Sequence, residues 1–261
     1  MSEKIFPKGA ALIFGATGGI GQFVTKEFAK AGSDVAIMWR SREETANQLA
    51  QDIAQDIAQE GQKASLHQCD VTDTEALDKA VAEAIETHGR IHTLVWGAGP
   101  LVEQVLISES TSEQWKKAID TEVHGFFNAC KSLLDHMKEQ GGGSIVHLGS
   151  AGELSFPERD YLSVCPKAAN ESLIKGIARE EGRFNIRANS VLVGVIEAGM
   201  FLELSAQGVF DDVWVEEVQK NLALKRWGQP EEIGHAAVFL ASNKAQYVTG
   251  QQISVAGGYG I

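Results

Sequence analysis

A chain of 261 residues with 44 % apolar side chains can bury one large α/β core or two small ones, and global disorder is excluded. Thirty-five acidic against 23 basic residues leave a formal charge of −12. That balance argues against nucleic acid or an anionic membrane as partner, since both are bound chiefly through excess Lys and Arg. Cys69, Cys130 and Cys165 are odd in number and irregular in spacing, so they read as free thiols in a reducing compartment. Met1 to Gly9 carries no apolar signal core, and no apolar run approaches the roughly 18 residues of a membrane span. A soluble, cytoplasmic protein is expected.

Ala10 to Phe14 is the first strand-like run, followed by a glycine cluster and an amphipathic helix from about Ile20 to Ala31. Gly32 stands where a C-cap glycine stops a helix. Val35 to Met38 is the second strand, and the helix after it carries Leu49, Ile53 and Ile57 at i, i+4 spacing. Its tandem Gln-Asp-Ile-Ala at 51–54 and 55–58 reads as a local duplication of about one turn. Further strands are predicted at Ala64–Cys69, Ile91–Trp96, Ser144–Leu148, Ile186–Leu192 and Gln252–Val255. Helices are predicted near 74–88, 112–139, 165–182 and 230–242. Continuously apolar strands separated by helices predict a doubly wound α/β Rossmann fold. Its seven-stranded sheet should be mostly parallel, with helices on both faces. No Pro- or Ser-rich linker divides the chain, so residues 1–261 are expected as one domain.

The segment Phe14-Gly15-Ala16-Thr17-Gly18-Gly19-Ile20-Gly21 lies between the first strand and the first helix. Glycines there let the backbone approach a pyrophosphate, which the free N–H groups of the helix N-terminus then receive. Gly15, Thr17, Gly19, Ile20 and Gly21 are therefore candidate cofactor-binding residues. At the end of the second strand a carboxylate would select NAD, whereas a basic residue accommodates the 2′-phosphate of NADP. The chain has Trp39-Arg40-Ser41-Arg42 there, with no acid until Glu43. Arg40, with Ser41 as a further donor, favours NADP(H) over NAD(H).

With these motifs in order, the chain resembles the short-chain dehydrogenase/reductases over nearly its whole length. Gly15, Gly19 and Gly21 match that family's Gly-x-x-x-Gly-x-Gly turn. Cys69-Asp70-Val71-Thr72 matches the segment in which Asp70 and Val71 would hold adenine, and Ala98-Gly99 ends the Asn-Asn-Ala-Gly motif. Arg226 to Ile233, Tyr247 to Gln251 and Gly257-Gly258 follow the family pattern near the C-terminus. The resemblance implies NAD(P) binding, carbonyl–alcohol redox chemistry and a homotetramer. It further implies a Ser, a Tyr and a Lys, with an Asn from an earlier helix, as the reacting set. In that set Tyr is the general acid, its phenol pKa lowered by the Lys ammonium.

Lys167 fits the lysine position, where it would also hold the nicotinamide ribose, and Ser150 fits the serine. Ser163 stands where the tyrosine is expected, four residues before Lys167, and Glu122 takes the place of the Asn. Trp96-Gly97 replaces the pair of asparagines, and Val193 and Ala198 replace a Pro and a Thr flanking Ile196, a further expected cofactor contact. Pro166 is tolerated only in a helix's first turn, which would make Ser163 the N-cap and leave Tyr161 in the preceding loop. From there Tyr161 would either swing toward the site as proton donor or simply pack at the helix start. Glu122 either bonds Lys167 and relays protons or is a solvated helix-face residue.

The remaining candidates carry less chemistry. Seven histidines lie scattered without a His-Cys cluster, so no metal is expected. His147 reads as a satisfied core residue, and Cys165 as either a thiol nucleophile or a small packing residue. Residues 194–226 are locally apolar, with Met200, Phe201, Leu202, Phe210, Val213, Trp214, Val218 and Leu222. By the resemblance they form a lid over an apolar small molecule, the alternative being subunit contact. Leu154 and Phe156 are expected on the opposite wall, and Asp211-Asp212 with Glu216-Glu217 on the lid's solvated outside. The leading expectation is an NADP(H)-dependent reductase or dehydrogenase with a non-standard proton donor. The alternatives are a cofactor-binding but inactive or regulatory homologue, and a non-redox enzyme on the same fold.

Overall fold

The structure is a computed structural model that describes residues 4–57 and 61–261. Ala58 of the tandem repeat and Met1 to Glu3 of the N-terminus lie outside the described residues, as does the side chain of Ile57. The strands are β1 (Ala10–Phe14), β2 (Asp34–Trp39), β3 (Ala64–Gln68), β4 (Ile91–Trp96), β5 (Gly143–Ser150), β6 (Ile186–Val193) and β7 (Gln252–Val255). The helices are α1 (Gly19–Lys30), α2 (Glu43–Asp52), α3 (Thr74–His88), α4 (Ser112–Ile119), α5 (Gly125–Glu139), α6 (Tyr161–Glu181), α7 (Met200–Ala206), α8 (Asp212–Lys220) and α9 (Pro230–Ala241).

The sheet runs in the order β3-β2-β1-β4-β5-β6-β7, and every pairing is parallel. Strand residues alternate between two cores because successive side chains point to opposite faces. Ala10, Leu12 and Phe14 join Leu77, Val81, Phe126, Leu133 and Ile174 from α3, α5 and α6 on one face. Ala11 and Ile13 join Val24, Phe28, Leu49, Ile233 and Leu240 from α1, α2 and α9 on the other. Each fully buried Val, Leu, Ile or Phe among them contributes on the order of 1.5–3 kcal/mol. The predicted doubly wound fold is the observed one. Strand order reverses between β1 and β4, and a ligand crevice opens outside the carboxyl ends of strands at such a point.

Two helices depart from the predicted pattern, and both departures shape the crevice. The 112–139 helix contains a π-helical turn, Asp120–His124, between α4 and α5. Such turns re-aim side chains and recur at functional sites. The helix predicted from 165 begins instead at Tyr161, and Asp160, not Ser163, is its N-cap residue. Pro166 is thus the sixth helical residue rather than a first-turn one, and the carbonyl of Leu162 loses its usual partner. Burial of Tyr161, Leu162 and Val164 in the first turn offsets that loss.

Candidate active site

Two cavities meet along the carboxyl ends of the strands, sharing Gly15, Gly18, Gly19, Gly97, Ala98 and Gly99 in their walls. Gly15 adopts φ +76°, a left-handed conformation that favours glycine. At Gly19 the backbone of Gly199 approaches so closely that a Cβ would lie 2.2 Å from its nitrogen. Gly18 precedes α1 without a side-chain cap, so the first-turn N–H groups face the crevice. Ile20, Gly21 and Ile196 line the first cavity, and Thr17 the second.

Arg40, Ser41 and Arg42 line the far end of the second cavity. Arg40 lies 3.8 Å from Asp70 Oδ2 and its side chain is 61 % exposed, leaving the guanidinium available. Arg42 donates to the Thr17 carbonyl at 3.3 Å. Asp70 Oδ1 accepts from Thr72 N at 2.9 Å and from Thr72 Oγ1 at 2.7 Å. It braces a loop whose Cys69 and Val71 form the wall. Two guanidinium groups and a hydroxyl, with an uncapped helix N-terminus beside them, suit a phosphorylated dinucleotide.

Ser150, Ser163, Lys167 and Glu122 come together in the first cavity. Glu122, carried by the π-helical turn, is buried and contacts the Lys167 ammonium, so the solvated reading of this residue is excluded. Behind the pair, Asn170 Nδ2 donates to the Glu122 carbonyl at 3.0 Å and lies 3.4 Å from His147 Nε2. His147 Nδ1 and Glu171 Oε1 are 2.7 Å apart, and Gln252 Nε2 donates to Glu171 Oε2 at 3.0 Å. His147 is a satisfied core residue, with its proton assigned to Nδ1 by these partners. The Ser150 hydroxyl accepts from Gly152 N at 3.1 Å, and its own proton remains available to the cavity.

Glu153 closes this polar cluster at its outer end. Burial and the nearby Glu171 carboxylate push its carboxyl up to about 7, and its Oε1 has no partner. A carboxyl raised on folding contributes stability below its ordinary value of 4.5 that is lost as pH rises toward 7. Glu153→Gln is therefore expected to raise stability at pH 8 by about 1–2 kcal/mol, after allowing for solvent screening. Near pH 4 the two proteins should unfold alike. Urea unfolding at both pH values checks this, and an equal difference at each would contradict it.

Tyr161 is placed differently from its candidate role as proton donor. It is the first residue of α6, 5 % exposed, and packs with Val102, Ala118 and Leu162. Its ring stacks on Trp115 at 6.1 Å, its hydroxyl has no partner, and it is not part of the cavity wall. The early start of the helix removes the loop in which the phenol was expected to swing. Cys165 packs against the same cluster, and burial pushes its thiol up, which suits a packing residue rather than a nucleophile. Asp160, which sequence reasoning passed over, lines the cavity and accepts from Gln104 Nε2 at 2.9 Å. A lone Asp before a helix reads as a cap, and no pattern in the sequence points to a residue 56 positions away.

The predicted lid forms α7, α8 and their flanking loops. Phe201, Phe210, Trp214 and Trp227 make an aromatic cluster in which Phe210 and Trp214 stack at 3.9 Å. Met200, Phe201, Leu204, Phe210, Trp214 and Leu222 roof the first cavity, whose volume is about 370 Å³. Leu202 and Val213, by contrast, face solvent, as do Asp211, Asp212, Glu216 and Glu217. The opposite wall is not built from Leu154 and Phe156, which are exposed. The short loop instead turns Pro157, Glu158 and Asp160 inward.

Residues 15–260 match a family model described as enoyl-(acyl carrier protein) reductase. The chain is 32 % identical to a 3-oxoacyl-(acyl-carrier-protein) reductase of Chlamydia muridarum over 249 residues, covering 95 % of this chain and 96 % of the relative. It is 33 % identical to a 3α-hydroxysteroid dehydrogenase of Mediterraneibacter gnavus, covering 95 % of each chain. A short-chain type dehydrogenase/reductase from Mycobacterium ulcerans superposes with a TM-score of 0.90 at 27 % identity, over 97 % of this chain and 90 % of that one. Fold, crevice and relatives agree. The chain belongs to the short-chain dehydrogenase/reductase family, a family of oxidoreductases.

Proposed function

We propose that the protein is an NADP(H)-dependent carbonyl reductase, or alcohol dehydrogenase, acting on an apolar small molecule. The observation that carries this reading is one continuous groove. It runs from Arg40 at the end of β2, past the α1 N-terminus, to Lys167 and Ser150 beneath an aromatic lid. Bound NADPH supplies a hydride to a carbonyl carbon. Arg40 and Ser41 hold the 2′-phosphate, the N–H groups of Gly19 to Gly21 the pyrophosphate, and Lys167 the ribose hydroxyls. Ser150 donates a hydrogen bond to the substrate oxygen, and Glu122 keeps the Lys167 ammonium in place. Ser163 stands four residues before Lys167, and an alcohol holds its proton too tightly to serve as the acid; the phenol in the cavity wall, Tyr259, donates instead to the Ser155 carbonyl at 2.6 Å. Residues 194–226 exclude water when closed. A 3-oxoacyl-(acyl-carrier-protein) reductase and a 3α-hydroxysteroid dehydrogenase among the relatives fit this substrate class. By family analogy the protein is a cytoplasmic homotetramer, which sedimentation tests.

Fluorescence titration with NADPH and NADH is the direct test. Micromolar NADPH binding with much weaker NADH binding is expected. Arg40→Ala should erase about 10- to 100-fold of that preference, the loss of one charge-assisted contact. Failure of wild-type protein to bind either nucleotide would overturn the reading.

A further inference from the structure

In the proposed reading a carbonyl oxygen must gain a proton, and the groups around the first cavity can be taken in turn. Tyr161 is packed outside its wall. Ser163 is an alcohol, and the buried Glu122 carboxylate is tied to the Lys167 ammonium. Tyr259 lines the cavity but donates its hydroxyl to the Ser155 carbonyl at 2.6 Å, and Glu158 is exposed to solvent. Cys165 belongs to the packed cluster beneath α6.

Asp160 differs from all of these in its placement. It immediately precedes α6, where an aspartate ordinarily turns its carboxylate onto the free N–H groups of the first turn. Here it makes no such bond. Its backbone carbonyl takes Ser163 N and Val164 N, both at 3.0 Å, while the side chain reaches across to Gln104. Arg159, immediately before it, holds φ +68°, a left-handed conformation costly for a residue other than glycine. That turn sets Asp160 in the wall together with Ser150, Ser163 and Lys167. The Gln104 amide occupies one oxygen, Oδ1, so Oδ2 is the oxygen available to a substrate.

We propose that Asp160 is the proton donor of this site, handing the proton on Oδ2 to the substrate oxygen that Ser150 also holds. This inference rests on the carbonyl-reductase reading. In the reducing direction the carbonyl π bond breaks, the carbon gains the hydride supplied by reduced dinucleotide, and the oxygen gains the Asp160 proton. An alcohol, oxidised dinucleotide and the Asp160 carboxylate result, and water returns a proton to the carboxylate. The reverse direction uses the carboxylate as base.

The environment suits this role. Burial pushes the Asp160 carboxyl above its ordinary value, although the Gln104 amide and the Lys167 ammonium pull the other way. Cys165 on α6 lies within electrostatic reach of Asp160; Glu122, Glu158 and Tyr259 line the same cavity, and Arg159 directly precedes Asp160 in the approaching loop.

The test uses the full chain and Asp160→Asn, which keeps the shape and removes the acid. In protein labelled at aspartate carboxyl carbons, one resonance should be missing from the variant. In the wild type that resonance should titrate above the ordinary aspartate range. With NADPH and a series of aryl alkyl ketones, kcat for the variant should fall about 10²–10⁴-fold, the usual share of a general acid. KM and NADPH affinity should stay unchanged, and Asp160→Glu should recover part of the rate. Wild-type kcat for reduction should be level at low pH and fall as pH rises through the Asp160 titration, a limb the variant lacks. An ordinary Asp160 titration, or a variant with the wild-type rate and pH profile, would overturn the assignment and leave the reductase reading standing. Wild-type protein that binds NADPH yet reduces no ketone would overturn both.

Discussion

Lys167→Met is expected to abolish turnover and to lower the unfolding free energy by about 3 kcal/mol, while adding Glu122→Gln restores most of the stability and none of the activity. The Glu122 side chain is 4 % exposed and that of Lys167 18 %, so little water reaches the pair to replace a missing partner. Removing the ammonium alone strands a buried carboxylate, whose desolvation is then uncompensated. Replacing both charges removes the conflict, because a buried ion pair owes its worth to each partner's presence rather than to a net gain over neutral groups. Asn170 continues to hold the Glu122 carbonyl, so the π-helical turn should survive in the double variant. The catalytic loss has a separate origin, since neither methionine nor glutamine can hold the ribose hydroxyls as an ammonium does. Urea unfolding of the four proteins in the double-mutant cycle, with NADPH turnover on each, separates the two effects. Additive stability changes would mean that the pair is not coupled, and normal turnover by Lys167→Met would remove the lysine from the site.

The central strands were legible because parallel strands buried on both faces are written as near-continuous apolar runs, as in Ala10 to Phe14 and Val35 to Met38. The glycine turn was equally plain, since its residues are set by backbone geometry within a few positions. Lys167 and Ser150 were placed by the family motif they match, and both line the first cavity. What sequence reasoning missed was decided by distant neighbours. The start of α6 was drawn four residues late because Pro166 was read by its local rule, whereas Trp115, Val102 and Ala118 bury Tyr161 and support an earlier turn. The same packing takes the phenol out of the cavity. Asp160 carries no motif of its own and reaches the cavity wall beside Gln104, 56 positions away, while Leu154 and Phe156 are exposed although their apolar character suggests an inward wall. Residues that line the cavity through motif register were legible in the sequence, and those brought there by tertiary contact were not.

Arg187→Ala should cost about 3–5 kcal/mol of stability and lower the melting temperature well before it affects nucleotide affinity. Arg187 sits on β6 with its guanidinium under the last turn of α9, where carbonyl groups have no intrahelical partners. It donates through Nη1 to Leu240 O at 2.6 Å and Val248 O at 3.3 Å, and through Nη2 to Ala241 O at 3.0 Å and Ser242 O at 3.3 Å. The positive charge also meets the negative end of the helix dipole. Alanine takes the donor from the Ala241 and Ser242 carbonyls in a region water scarcely enters and opens a void beneath α9, while Leu240 O keeps Ser144 Oγ at 3.4 Å and Val248 O keeps Asn189 Nδ2 at 2.9 Å. Lysine can restore the charge but not the planar fork that reaches several carbonyls at once, so Arg187→Lys should recover only part of the loss. α9 packs against α1, whose N-terminus forms the glycine turn, and the shared core of Val24, Phe28, Ile233 and Leu240 joins the two helices. If α9 loosens locally, α1 loses its backing and NADPH affinity should fall in step with stability. If the protein unfolds as one unit, affinity measured well below the melting temperature should match the wild type. Thermal unfolding and NADPH titration of both variants distinguish these cases, and an unchanged melting temperature for Arg187→Ala would show that the carbonyl groups find water instead.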